Sequence, residues 1–244
     1  MGPRQPERSD FPAHLELSVT PPLAAQPASN VLILLHGLGD TNASFTALGR
    51  TLALPDTTCI ALQGPAPLPF NLDGFHWGDD IMFDQATGNL EFDTGFTKAV
   101  RVIAHDVIQA GLIDRCGYRP REIVFFGFGQ GGMVALAVAA AVPAELGGVI
   151  SIGGPLPSSV SASATSGRKA KTPIQLLGGS SNTLFTPDAL ARISHVFNFV
   201  EYHSWERAGD SMPSSRDETL PIMQFFARRL RSQQGVPEGS MEIS

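Results

Sequence analysis

The chain has 244 residues, of which 43% are hydrophobic and 16% are charged, and its formal net charge is −6 at pH 7. This composition is enough for one sizeable domain and is not typical of a disordered chain. The negative charge argues against a nucleic-acid-binding protein, since such proteins usually present a cationic face. The longest basic stretch is the short Arg228–Arg231 segment.

The N-terminal residues are polar and lack the apolar core of a signal peptide, and no apolar run is long enough to span a membrane. Cys59 and Cys116 are isolated, so the sequence predicts no disulfide framework, no metal and no cofactor. We therefore expect a cytoplasmic protein without a membrane span. One domain should cover residues 13–232, between flexible tails at 1–12 and 233–244.

Short apolar runs along the chain predict strands. The segment from His14 to Val19 alternates weakly, as an edge strand does, and Pro21 and Pro22 follow it. Most later runs are continuously apolar, which is typical of parallel strands covered on both faces. These runs are Val31–Leu35, Cys59–Leu62, Ile123–Phe126, Val149–Ile152, Ile174–Leu177 and Phe199–Trp205.

Helical patterns lie between the predicted strands. In the longest pattern Phe96, Val100, Ile103 and Val107 share one face, and Gly111 is its predicted end. Strands that alternate with helices predict an α/β fold with a doubly wound, mainly parallel sheet flanked by helices. The other helical patterns are Phe45–Leu52, Gly132–Ala141, a segment that contains His195, and Asp217–Arg231.

Two stretches interrupt this alternation. The segment Pro65–Asp80 is rich in proline and aromatic residues and is expected to be an ordered loop near a functional site. The segment 155–172 is rich in Ser, Ala and Pro, and we expect it to be a flexible surface insertion.

A glycine-rich motif follows the third continuous run. The strand enters Gly127-Phe128-Gly129-Gln130-Gly131-Gly132 and a helix follows. The nucleophile turn of an α/β-hydrolase has the pattern Gly-x-nucleophile-x-Gly at such a junction. Its central position here is Gly129, so the residue that should attack a substrate is missing.

The same six residues also match the dinucleotide-binding pattern G-x-G-x-x-G. That pattern normally opens the first βαβ unit, whereas this motif lies in the middle of the chain. The next predicted strand ends in Ser151-Ile152-Gly153-Gly154, without an acidic residue to bind a ribose. A dinucleotide-binding domain is therefore kept as a remote alternative.

A second motif, His36-Gly37-Leu38-Gly39-Asp40, follows the run Val31–Leu35. With the glycine-rich motif it resembles the acyl-protein thioesterase, or phospholipase/carboxylesterase, family of α/β-hydrolases, which carries H-G-L-G-D and G-F-S-Q-G-G. His76-Trp77 is similar to a tryptophan segment of that family. The resemblance runs from about residue 30 to the last helix. It implies ester or thioester hydrolysis by a Ser-Asp-His triad, with an oxyanion hole formed by the backbone N–H groups of Leu38 and Gln130.

The resemblance places different residues at all three triad positions. Gly129 stands at the nucleophile, Asn182 at the acid and Asp210 at the base. Glycine also removes the backbone strain that the turn imposes on other residues. We expect the three positions to converge, with the Asn182 amide donating a hydrogen bond to Asp210.

Other residues could supply the missing chemistry or line a groove. We expect surface or sheet positions for four histidines, namely His14, His105, His195 and His203. For His36 we expect a structural role in its turn. Ser180, Ser181 and Ser211 lie near the expected site, but a serine without a positioned base is a poor nucleophile. The candidate acyl groove consists of Phe70, Phe75, His76 and Trp77.

Two functions remain open on the sequence. The first is an inactive pseudohydrolase that binds an acyl or lipid-modified ligand, or a protein partner. The second is an active ester or thioester hydrolase of unusual design, in which Asp210 activates water directly. We favour the first, because water that attacks without an enzyme nucleophile or a histidine base lacks most of the rate acceleration that a triad provides.

Overall fold

The structure is a computed structural model that describes residues 2–22, 28–83, 88, 90–160 and 168–232. Its strands are β1 (Leu17–Thr20), β2 (Asn30–Leu35), β3 (Thr57–Leu62), β4 (Ala66–Pro67), β5 (Phe75–His76), β6 (Ile123–Phe128), β7 (Gly148–Ile152), β8 (Ile174–Ser181) and β9 (Val200–Ala208). Within these residues, seven strands form one sheet in the order β1-β3-β2-β6-β7-β8-β9. β1 is antiparallel to β3, and the other neighbours are parallel. The short strands β4 and β5 form an antiparallel hairpin.

Helices cover both faces of the main sheet. They are α1 (Asn42–Leu52), α2 (Thr97–Val102), which continues as a π-helix over Ile103–Arg115, α3 (Gln130–Ala141), α4 (Pro187–Val196) and α5 (Arg216–Arg229). α1 and α5 bury Phe45 and Phe225 on one face, and the π-helix, α3 and α4 pack on the other. This arrangement confirms the predicted doubly wound, mainly parallel sheet. No helix in the described ranges is long and apolar enough to cross a membrane.

The direction of the strands brings several loops to one edge of the sheet. β2, β3, β6 and β7 have almost no exposed residues, which agrees with their continuous apolar runs. Because neighbouring parallel strands end at the same edge, the loops that follow them lie close together. The loops after β2, β6, β7, β8 and β9 begin at His36, Gly129, Gly153, Asn182 and Gly209.

The second helix does not end at Gly111, so that prediction is wrong. Gly111 lies inside the π-helix, which continues to Arg115. The ring of Phe11 packs against this glycine, and a Cβ at Gly111 would lie 2.7 Å from Phe11 Cε1. Gly111 therefore allows the Phe11 ring to pack closely on the helix and does not end the helix.

The N-terminal segment differs from the loose tail that was expected for residues 1–12. Residues 2–12 pack against the domain: Phe11 is 3% exposed, and Asp10 pairs with Arg4 and accepts a hydrogen bond from the Cys116 thiol. Within the expected insertion, Leu156 is buried. Residues 161–167 of that insertion and the expected tail 233–244 lie outside the described residues.

Candidate active site

Gly129 lies at the sharp turn between β6 and α3. Its backbone angles are φ 53° and ψ −122°. Its N–H donates to the Ile152 carbonyl at 2.8 Å, and its own carbonyl accepts from the Met133 N–H at 3.1 Å. This conformation costs a residue with a Cβ about 1–3 kcal/mol, whereas glycine adopts it freely. The turn has the strand-to-helix position and strained backbone of a nucleophile turn, without a side chain at its centre.

The flanking glycines are required by close backbone approaches. A Cβ at Gly127 would lie 2.4 Å from the carbonyl oxygen of Gly131, and a Cβ at Gly131 would lie 2.2 Å from the carbonyl oxygen of Leu35. Real Cβ atoms do not approach backbone this closely. The glycines therefore allow the start of α3 to pack directly against the ends of β6 and β2.

The ring of Phe92 covers the point from which a side chain of residue 129 would project. A Cβ built on Gly129 would lie 3.2 Å from Phe92 Cζ and 3.8 Å from Gly37 Cα. The Phe92 carbonyl accepts a 2.9 Å hydrogen bond from Gln130 Nε2. Sequence reasoning missed Phe92, because it belongs to no motif and reaches the turn only through the fold.

Two backbone N–H groups face no acceptor at this turn. Across the described ranges, neither the Leu38 N–H nor the Gln130 N–H has a hydrogen-bond partner. Gln130 is the first residue of α3, and the first N–H groups of a helix have no partner within it. Gly37, which precedes Leu38, lies beside Gly129. These two donors are the ones that the resemblance assigns to an oxyanion hole.

His36 shapes the turn that carries Leu38. It is fully buried, its Nε2 accepts from the Gly64 N–H at 2.8 Å, and its Nδ1 lies 2.7 Å from the Gly37 carbonyl oxygen. Because Nε2 is an acceptor, the neutral ring carries its proton on Nδ1 and donates to Gly37. Burial lowers the pKa of His36 below its ordinary value. His36 therefore has the structural role that was expected of it.

The Asp210 carboxylate is held by the end of β8 and by the loop that follows it. Its Oδ1 accepts from the Gly179 N–H at 3.0 Å and from the Thr183 hydroxyl at 2.7 Å, and its Oδ2 accepts from the Leu184 N–H at 3.0 Å. Both oxygens therefore already serve as acceptors from this part of the chain.

Asp210 and Gly129 lie on either side of the segment that follows β7. A Cβ at Gly153 would lie 2.5 Å from Asp210 Cβ, and a Cβ at Gly154 would lie 2.3 Å from the Gly129 carbonyl oxygen. The structure therefore brings Asp210 and Gly129 to the same region of the sheet edge.

The predicted hydrogen bond between Asn182 and Asp210 is wrong. In the part of the chain that the structure describes, the partners of Asp210 are Gly179, Thr183 and Leu184. Asn182 is exposed and adopts a left-handed backbone with φ 49°. The next residue presents its hydroxyl instead, because the turn at Asn182 directs Thr183 towards Asp210. The sequence alone does not show which of two adjacent loop residues directs its side chain towards Asp210.

The four residues proposed for an acyl groove do not form one surface. Phe70 is 79% exposed at the tip of the β4–β5 hairpin, and its ring lies 6.0 Å from that of Phe83. Trp77 is 2% exposed and donates its indole N–H to the His36 carbonyl at 2.8 Å, so it supports from inside the turn that carries Leu38. Phe75 is half-buried, and burial lowers the pKa of His76. Phe75 and Trp77 border a separate cavity of about 210 Å³ beside α2 and the end of β3.

Among the described residues, the remaining histidines and the serines with resolved contacts do not complete a triad. His14, His105 and His195 are exposed, and His203 lies within β9, opposite Leu177. Ser180 donates its hydroxyl to the Arg207 carbonyl, and Ser151, which sequence reasoning did not single out, donates to the Gly154 carbonyl. In the described residues, no group of three or more His, Cys, Asp or Glu side chains is arranged to hold a metal ion.

Comparisons with known proteins agree with this geometry. The family model described as phospholipase/carboxylesterase matches residues 20–229. An uncharacterized hydrolase of Schizosaccharomyces pombe is 32% identical over 208 residues, which cover 82% of this chain and 83% of that protein. Acyl-protein thioesterase 1 of Saccharomyces cerevisiae is 29% identical over 144 residues, which cover 53% of this chain and 59% of that protein.

Solved structures show the same fold. The crystal structure of esterase PE8 has a TM-score of 0.71 at 23% identity and covers 88% of this chain and 99% of its own. Acyl-protein thioesterase 2 of Zea mays has a TM-score of 0.63 at 19% identity, with the same coverage. The family model spans residues 20–229, so Gly127–Gly132 lies in a hydrolase domain and not in the dinucleotide-binding domain that was kept as a remote alternative. The chain therefore belongs to the phospholipase/carboxylesterase family of α/β-hydrolases.

Proposed function

We propose that this protein is an inactive member of its family, and that it acts by binding an acyl ligand or a protein partner at the former catalytic site. The observation that carries the proposal is Gly129 at the centre of the nucleophile turn. Acyl transfer by this family needs an oxygen nucleophile at that point, and glycine has no atom to acylate.

The assignment of the triad positions is part of the same proposal. Gly129 stands for the nucleophile, Asp210 for the base and Asn182 for the acid. The proximity of Gly129 and Asp210 to the Gly153–Gly154 segment supports the first two. Asn182 rests on sequence matching alone, and Thr183 takes the contact with Asp210.

The binding capacity rests on the two free backbone donors. The N–H groups of Leu38 and Gln130 are suited to a carbonyl or carboxylate oxygen, because preorganised backbone N–H groups stabilise developing negative charge on oxygen. Backbone donors do not depend on the side chains that have changed. The site therefore keeps the part of the machinery that recognises an acyl group.

The bonding of Asp210 weighs against an active hydrolase of unusual design. A carboxylate that activates water needs a free lone pair directed at that water. Three hydrogen bonds from the end of β8 and from the loop after it occupy most of the acceptor positions of Asp210. We infer that Asp210 holds this loop in place and does not act as a base.

The test is reactivity of the purified protein towards a fluorophosphonate probe and towards short acyl esters and thioesters. We expect no covalent labelling and no turnover above background. An active acyl-protein thioesterase, assayed in parallel, is the positive control. Stoichiometric labelling of any serine, or turnover that disappears in an Asp210→Asn variant, would contradict the proposal.

A further inference from the structure

We propose that Phe92 controls access to this site, so that its ring must rotate away before an acyl group can reach the N–H donors of Leu38 and Gln130. This inference rests on the proposed binding function and names the residue that limits it. The ring lies 3.2 Å from the point where a Cβ of residue 129 would be. It therefore occupies space into which a nucleophile at residue 129 would project.

Two hydrogen bonds hold the segment that carries the ring. Gln130 Nε2 donates to the Phe92 carbonyl at 2.9 Å, and Gln130 Oε1 accepts from the Trp77 N–H at 3.1 Å. The next residue, Asp93, accepts a 2.6 Å hydrogen bond from the Ser158 N–H. One side chain of α3 and one loop after β7 thus hold the segment over the turn, which leaves the ring as the part that can move.

The ring itself is only partly enclosed. Phe92 is half-buried and packs against the edge of the core, whereas Trp77 behind the oxyanion turn is 2% exposed. Rotation about the side-chain torsions moves the ring without breaking a backbone hydrogen bond. Such rotations in partly exposed side chains are fast compared with loop rearrangements.

The absence of a side chain at Gly129 explains why the ring can come so close. A contact of 3.2 Å to a Cβ is tight, so a side chain at residue 129 would press on the ring. Phe92 and Gly129 therefore form a matched pair: the glycine leaves the space, and the phenylalanine occupies it. A ligand must displace the ring, and the cost of doing so lowers its affinity.

The test measures octanoate binding by calorimetry to the full chain and to a Phe92→Ala variant. Octanoate has a carboxylate for the two N–H donors and an apolar tail for the space that the ring leaves. We expect the dissociation constant to fall at least tenfold in Phe92→Ala. The amide resonances of Leu38 and Gln130 should shift on binding. Phe199→Ala removes a 59% exposed ring that precedes β9, at the opposite edge of the sheet, and should bind octanoate like the unchanged protein.

The outcomes separate this inference from the proposed function. Equal affinity for the unchanged protein and for folded Phe92→Ala overturns the role of Phe92, and so does tighter binding that leaves the Leu38 and Gln130 resonances unmoved. If Phe92→Ala does not fold, Phe92→Leu is used, with a smaller gain of affinity expected and unchanged affinity overturning the inference. Ester turnover by the unchanged protein would contradict the proposed function whatever the octanoate results are.

Discussion

The Thr183 hydroxyl donates a 2.7 Å hydrogen bond to Oδ1 of Asp210, across the loops that follow β8 and β9. The same hydroxyl oxygen accepts from the Phe185 N–H at 3.2 Å. Thr183 therefore links the carboxylate to the turn that leads to α4. Two loops to which the proposal assigns triad positions are thus joined by a contact between a threonine and an aspartate.

Replacing Thr183 should destabilise this junction. We expect Thr183→Val to lower the free energy of unfolding by about 1–2 kcal/mol, because the carboxylate loses a donor that solvent replaces only in part. Thr183→Ser keeps the hydroxyl and should retain most of the stability. The measurement is urea denaturation. The matched control is Asn182→Gly, which suits the left-handed backbone and should change the free energy by less than about 0.5 kcal/mol. A larger loss in Asn182→Gly than in Thr183→Val would show that Asn182 is the true partner.

Acidification should destabilise the protein through His36. Its pKa is lowered by burial in the folded state, so the unfolded chain binds a proton at higher pH than the folded chain does. The stability is therefore fully present above the unfolded pKa of about 6.5 and is lost as the pH falls towards the lower folded pKa. His76, whose pKa is also lowered by burial, acts in the same direction.

The measurement is the free energy of unfolding between pH 7.5 and pH 5. We expect a His36→Gln variant to be less stable at neutral pH but to show a shallower loss of stability on acidification. His195→Gln, on the exposed surface of α4, should leave the slope unchanged. The same slope in His36→Gln and in the unchanged protein would show that His36 is not a source of the acid sensitivity.

Restoration of the triad should depend on Phe92. The triple change Gly129→Ser, Asn182→Asp and Asp210→His rebuilds the residues of the family beside the N–H donors of Leu38 and Gln130. Triad members act as a unit, so single changes should gain little. Because the Phe92 ring lies where the new serine would project, we expect weak fluorophosphonate labelling of the triple variant and stronger labelling after Phe92→Ala is added.

Labelling and turnover of an aryl ester are measured side by side on these variants. Labelling without turnover would mean that the nucleophile is restored while the acyl space or the position of residue 182 remains unsuitable. A folded quadruple variant that neither labels nor turns over would contradict the assignment of Gly127–Gly132 as a former nucleophile turn.

The close approach at Gly131 should make that residue intolerant of a side chain. A Cβ there would lie 2.2 Å from the Leu35 carbonyl oxygen, and backbone cannot move aside as a flexible side chain can. We expect Gly131→Ala to lower the melting temperature strongly, corresponding to about 3 kcal/mol or more. Gly2→Ala, where nothing lies within 4 Å, is the control and should have no effect. An unchanged melting temperature in Gly131→Ala would show that α3 does not pack against the end of β2 as described.

The sequence alone was sufficient for the sheet and for the glycine turn. The continuous apolar runs at β2, β6 and β7 reflect burial on both faces, which is a local property of each strand. The motif around Gly129 could be recognised because the backbone approaches at Gly127 and Gly131 admit only glycine. The glycine at the centre of the turn was visible because the motif around it consists of consecutive residues.

Only the tertiary structure decided which residues meet across the site. The contact of Phe92 with Gly129, the choice of Thr183 over Asn182 as the partner of Asp210, and the packing of Phe11 on Gly111 all join distant segments. No periodicity or motif encodes such contacts, because they depend on the register of neighbouring strands and on the direction of a loop. The donor to Asp210 is one residue further along the loop after β8 than expected, so it is the Thr183 hydroxyl and not the Asn182 amide. The sequence therefore determined that a glycine stands at the centre of the turn, and the fold determined which side chain covers it.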